Sequence, residues 1–209
     1  MLAKPMDILT EFPIRKTKEQ KQAFRNAVQD YLSGLGYAVT VETGGFGVNN
    51  LIVGAPETAA YLVTAGDAPS GVLLLLEIAR TLPKIQRNKA CFALFDSKNL
   101  GPGAYCKTHQ ARQLVLHLGD ISGGDQIRMI PTKKLKDDRK RLTSLYKACG
   151  YFGKKSLLVE EEKTHRGYDP FPYAVHIRTI QKKTGNTSID ATNINILRAA
   201  LTTLITCDS

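Results

Sequence analysis

The sequence predicts an α/β protein, a three-layer αβα sandwich around a mixed, mostly parallel sheet, and three observations carry that expectation. Short apolar blocks alternate with amphipathic stretches along the chain, the order that strand–helix–strand crossovers require. The block CFALF, Cys91 to Phe95, is apolar on both sides of its alternation, as a strand covered on both faces must be. The stretch Asn193 to Thr206 places Ile194, Leu197, Ala200, Leu201, Leu204 and Ile205 at helical spacing, so it forms a helix with one core-facing stripe.

The 209 residues suit one domain, since a chain of this size buries one substantial core. Residues 1–17 are expected to be an N-terminal arm. A helix follows, in which Ala23, Phe24, Ala27, Val28, Tyr31, Leu32 and Leu35 recur every three or four positions, and Gly34 and Gly36 end it. Extended segments are expected at Tyr37 to Glu42, Asn50 to Val53 and Tyr61 to Ala65, the first two as a hairpin or adjacent strands. TGGFG, Thr43 to Gly47, is a hairpin loop rather than a phosphate cradle, because it lacks the GxGxxG spacing and opens no helix. An apolar helix runs from about Ser70 to Thr81 and stops before Pro83. Beyond Phe95 the expected order is a strand at Leu114 to Leu118, a short strand at Ile127 to Ile130, one Lys-rich helix from Lys134 to Ala148, and strands at Ser156 to Val159 and Tyr173 to Ile180.

Lys and Arg number 29 against 19 Asp and Glu, a formal charge of +10. Lys133, Lys134, Lys136, Arg139, Lys140 and Arg141 crowd one segment and make an anionic ligand, nucleic acid or acidic surface conceivable partners. Asp137 and Asp138 lie within the same turns, and no RNP, KH, helix-turn-helix or zinc-finger motif accompanies the cluster. Unbroken apolar runs such as Val72 to Leu76 are far short of the roughly 20 residues that cross a bilayer. The first twenty residues contain no apolar block of a secretory leader. Cys91, Cys106, Cys149 and Cys207 are scattered without a CxxC pair, which argues against a disulfide framework and for the cytoplasm.

Open parallel sheets bind ligands beyond the carboxyl ends of their strands, which directs attention to Gly66 to Ser70, Asp96 to Gly103, Gly119 to Gly124 and Asp169 to Phe171. His109, His117, His165 and His176 show no HExxH or H-x-H spacing, so each is expected to be a surface or hydrogen-bonded histidine. A Ser, His, Asp set drawn from Ser70 or Ser97 with His117 and Asp120 lacks a GxSxG elbow. The loop carrying Tyr168, Phe171 and Tyr173, broken by Pro170 and Pro172, either packs on the sheet or lines a vestigial pocket.

These loops carry a resemblance. YLVTAGDAPSGVLLLLEIARTL resembles a strand ending in TAH-x-D followed by a D-N-A-S-G turn into an apolar helix. CFALFDSKNLGPGAY resembles FVFFDGEE-x-G-L-x-GS, and VLHLGDISGGDQI resembles a strand end of LNLDMVG type. GYDPFPYAVHI sits where an SDH-x-PF loop is expected, and GNTSIDATNINILRAALTTLI is similar to an HTPEDT loop with its terminal helix. Together they resemble the co-catalytic zinc aminopeptidase family, whose fold also contains glutaminyl cyclases and transferrin-receptor ectodomains. The resemblance implies a zinc-exopeptidase-like sandwich.

Residue by residue, it also implies lost chemistry. The first ligand His falls on Gly66, with Asp67 at the bridging carboxylate. The Glu pair, which includes the general base, falls on Lys98 and Asn99. The strand-end carboxylate falls on Gly119, with Asp120 one residue away. Asp169 lies in the SDH-like loop, and the last ligand His falls on Asn186. A pair of dications needs several anionic or imidazole donors to offset its dehydration, and Asp67 with Asp120 are too few. The expectation is therefore no metal and no peptidase activity in a natural pseudoenzyme or a trimmed form of the fold, acting as a binding or scaffold protein. Lys98 would pair with Asp67 or Asp96 in place of a metal. Two alternatives stand beside it: an active zinc exopeptidase with unorthodox ligands among Asp67, Asp120, Asp169 and His117, and a basic module for nucleic acid or an anionic surface.

Overall fold

Three five-residue strands at the middle of the sheet, β3 (Tyr61–Ala65), β4 (Ala90–Leu94) and β5 (Leu114–Leu118), have no exposed residue, because helices cover both faces. The computed structural model describes residues 4–13, 15–97, 99–110, 112–124, 126–150, 157–159, 170–180 and 189–207. The remaining strands are β1 (Val39–Thr43), β2 (Asn49–Val53), β6 (Gln126–Pro131), β7 (Leu157–Val159) and β8 (Ala174–Ile180). The helices are α1 (Pro5–Glu11), α2 (Lys18–Gly34), α3 (Pro69–Thr81), α4 (Leu100–Thr108), α5 (Lys133–Asp137), α6 (Arg139–Gly150) and α7 (Ala191–Cys207).

The eight strands lie in the order β1-β2-β4-β3-β5-β8-β6-β7. The run β4, β3, β5 and β8 is parallel throughout, while β1 and β2 pair antiparallel, as the hairpin expectation required. The larger core lies on one face, where α1, α2, α3, α5, α6 and α7 place their apolar sides against Leu51, Val53, Val63, Phe92 and Leu116. On the other face α4 and Phe171 cover Leu62, Ala93, Phe95 and Val115. This is the expected αβα sandwich with its mixed, mostly parallel sheet.

The connection through α3 and that through α4 cross opposite faces, and they lead to strands on either side of β3. The carboxyl ends of β3, β4 and β5 therefore form a topological switch point, where sheets of this kind open a crevice.

Two expectations need correction, and the N-terminal arm contains a helix that the sequence reading did not specify. Pro5 opens α1, Asp7 accepts a hydrogen bond from the Lys4 amide at 2.9 Å, and Ile8 and Leu9 are buried. Seven residues are too few to stand alone as a helix, and the contact of α1 with α3 supplies the missing stability. The loop after β4 gives way to α4, whose two glycines and Pro102 conceal it in the sequence. Burial of Tyr105 against Phe95 and Phe171, ring centroids 6.0 Å from each, holds it in place. The single Lys-rich helix is broken at Asp138, whose backbone at φ −89°, ψ 84° is not helical. Its carboxylate accepts from the Arg141 amide at 3.1 Å, so Asp138 starts α6 as an N-cap.

The hairpin tip fits the reading of TGGFG as a loop. Phe46 there has φ 61° and is 97% exposed. Among the described residues no helix is long and apolar enough to cross a membrane.

Candidate functional site

Ala65 at the end of β3 is paired with Leu94 of β4 on one side and Leu118 of β5 on the other. Gly66 and Gly119 therefore leave the sheet at one level, and Asp67 and Asp120 follow them. Asn99 lies farther along, immediately before α4, with its side chain making no cap. The structure thus brings four of the expected site residues to the switch point. Lys98, Asp169 and Asn186 lie outside the described residues, as do His165 and Tyr168.

At the β3 and β4 ends, a small hollow of about 30 Å³ is bordered by Gly66, Asp67 and Asp96, and by Arg15, Lys21 and Arg25 from the N-terminal segment and α2. Asp96 stands 3.4 Å from Arg25 Nη1 and 3.9 Å from Lys21 Nζ, and its Oδ2 accepts from the Asn49 amide at 3.1 Å. Arg25 is only 5% exposed, and the same Nη1 donates to the Asn49 carbonyl at 2.9 Å. A guanidinium held this deep must have compensating acceptors, and Asp96 with Asn49 provides them.

Arg15 closes the rim. Its Nη2 donates to the Asp67 carbonyl at 2.7 Å, and its guanidinium lies 4.3 Å above the Phe24 ring. Burial draws its pKa below the ordinary value, while the Asp67 charge opposes that shift. Asp96 thus pairs with Arg25 and Lys21, whereas the pairing expected of Lys98 lies outside the described residues.

Sequence reasoning missed Arg15, Lys21 and Arg25 as neighbours of this site. One signal was present: Arg25 sits between Phe24 and Val28 on the edge of the apolar stripe of α2, where a charge needs a partner.

At the β5 end a single carboxylate is closely fitted among hydrogen-bond donors. Asp120 Oδ1 accepts from Ser70 Oγ at 3.0 Å and from the Ser122 amide at 3.0 Å, and Ser70 Oγ accepts from the Ile121 amide at 2.8 Å. Burial pushes the Asp120 carboxyl upward, but the bonds from Ser122 and Ser70 outweigh it and hold its pKa below the ordinary value. Two glycines permit this fit. A Cβ on Gly71 would meet the Leu118 carbonyl oxygen and lie 2.6 Å from that of Gly119, and one on Gly119 would come within 2.8 Å of His176 Nε2.

Asp120 turns toward α3, whereas His117 lies on the other face of the sheet. Its Nδ1 is 3.0 Å from Thr64 Oγ1, and its ring centroid is 4.7 Å from that of His176. His117 therefore does not complete the Ser70–Asp120 pair and is a hydrogen-bonded histidine. His109 is another, with its two ring nitrogens 2.7 Å from Glu42 and Glu57. Phe171 is buried, 6.2 Å from the Phe95 ring, so this part of the aromatic loop packs on the sheet.

Zinc, which the fold suggests, can be tested against the donors present. Asp96 is committed to Arg25, Lys21 and Asn49, and Asp120 to Ser70 and Ser122. Among the described residues no three His, Cys, Asp or Glu side chains stand together to hold a metal ion. Among the described residues, this donor set by itself does not fit a zinc pair.

No family model matches the chain, and no curated protein matches it. Solved structures do. A Bacteroides vulgatus protein assigned as a Zn-dependent exopeptidase is 16% identical, with a TM-score of 0.72 over 99% of this chain and 94% of that one. Glutaminyl cyclase from Porphyromonas gingivalis is 13% identical, with a TM-score of 0.69 over 96% of each chain. A Zn-dependent exopeptidase from Parabacteroides distasonis is 14% identical, with a TM-score of 0.68 over 98% of this chain and 96% of that one. The chain has the zinc exopeptidase fold.

Proposed function

We propose that this chain is a zinc-exopeptidase-fold protein without peptidase activity, working as a binding or scaffold module. The observation that carries the reading is the state of the strand ends. Asp96 is held by Arg25 and Lys21, and Arg15 lies across Asp67. Cations of the protein thus border both Asp67 and Asp96, and a guanidinium beside a carboxylate competes with a dication for its oxygens. The sequence adds Lys98 and Asn99 at the positions of the Glu pair, replacing a general base with an ammonium and an amide.

Elemental analysis of the purified full chain, together with assays on aminoacyl chromogenic substrates, tests this. The expected result is no stoichiometric metal and no hydrolysis above background. Two zinc ions per chain would overturn it. The second reading is a zinc-dependent exopeptidase or cyclase with unorthodox ligands, favoured by what the similar structures are named for. It requires stoichiometric zinc, with activity lost both to a chelator and to Asp67→Ala.

A further inference from the structure

At the end of the sheet opposite to the switch point, a cleft of about 590 Å³ opens beside Tyr61 and Leu114, the first residues of β3 and β5. Its walls are the chain around Glu57 to Ala60, the residues Gln110, Arg112 and Gln113, and the first turns of α6. This volume falls within the range of about 300–1,000 Å³ in which small ligands bind. Nothing in the fold's strand-end chemistry uses it.

The charge on its walls is unbalanced. Two carboxylates border the cleft, and both are already engaged by the protein. Glu57 Oε1 is 2.7 Å from His109 Nδ1, and Asp138 takes Arg141 Nη1 and the Arg141 amide, each at 3.1 Å. Three cations border it as well. Arg141 is fixed against the wall, 4.2 Å from the Tyr173 ring centroid, with Nη2 donating to the Arg112 carbonyl at 3.5 Å. Arg112 and Lys140 are exposed, and among the described residues neither forms an ion pair with a carboxylate. The first turn of the twelve-residue α6 adds the positive end of its dipole on the same wall.

We propose that this cleft binds a small multivalent anion, its phosphate or carboxylate oxygens held by Arg112, Lys140 and Arg141. Two guanidinium forks and one ammonium present planar and point donors to such oxygens. Of the six cations of the basic segment, only Lys140 and Arg141 border the cleft, so the ligand is one that enters a cavity.

Calorimetric titration of the full chain with inorganic pyrophosphate and with citrate, at constant ionic strength, provides the test. Saturable one-to-one binding of either anion is expected, and the tighter one identifies the source as phosphate or carboxylate. The variant Arg112→Ala/Lys140→Ala should raise the dissociation constant at least about tenfold. Lys133→Ala/Lys134→Ala, which removes the same charge from exposed positions outside the cleft, should leave it unchanged. The single reversal Lys140→Glu should weaken binding on its own. Failure of both anions to saturate, or equal weakening by the two double variants, would overturn the proposal.

Discussion

His109 shows how one side chain can couple two distant parts of the chain to pH. Its Nδ1 and Nε2 each lie 2.7 Å from a carboxylate, Glu57 and Glu42 respectively. A neutral imidazole carries only one N–H, so holding both carboxylates requires the imidazolium. Burial opposes that charge, but the bonds to Glu57 and Glu42 outweigh it and raise the His109 pKa. A folded-state pKa above the unfolded value stabilises fully below the unfolded value and is lost as pH rises through the folded one. Melting temperatures should therefore fall as pH climbs beyond the ordinary histidine value of about 6.5, and His109→Gln should flatten that slope. A slope identical in the variant would show that another group is responsible.

At this scale the sequence was legible where position along a strand decides the outcome. Asp67 and Asp120 stand at the ends of β3 and β5 because apolar blocks end just before them. The bond partners were not legible. Arg15 and Asp67 are 52 residues apart, and Lys21 and Asp96 are 75 apart, distances over which no periodicity reports.

The elements divide by what stabilises them. β3, β4, β5 and α7 are readable in the sequence because their own apolar patterns specify them. α1 and α4 are not, since each forms by docking a few residues, Ile8 and Leu9 or Tyr105, onto the core. The break between α5 and α6 turns on one carboxylate, and Asp138 was read as a charge within a helix instead of a cap.

Packing of α3 against β5 is the most sensitive of these arrangements. Helix and strand end approach so closely at Gly71 that one methyl group would press on two carbonyl oxygens. Gly71→Ala should therefore lower stability by about 1–3 kcal/mol, the usual cost of overpacking, although alanine is the better helix former. Denaturant unfolding reads the change, and an unaltered midpoint would contradict the close approach.

For the whole molecule, alternating strands and helices announced three layers, but not the strand order. Which strand lies beside β3 is decided by long crossovers, and β8 reaches β5 only from far along the chain. The sandwich persists at 16% identity or less to the solved structures. The reason is that it depends on where apolar side chains fall and not on which groups crown the strands.

The charge cluster at the strand ends has a further consequence, in time. Arg15, Lys21 and Arg25 precede every strand, so their bonds to Asp67 and Asp96 close long loops. Contacts of that kind form late, after the sheet has assembled. Interactions absent from the folding barrier govern how long the native state lasts, not how quickly it is reached. Arg25→Gln should thus accelerate unfolding in stopped-flow experiments while refolding keeps its pace, and a variant that refolds more slowly would place this latch early. The hollow at the strand ends would then serve the protein as a brake on its own unravelling.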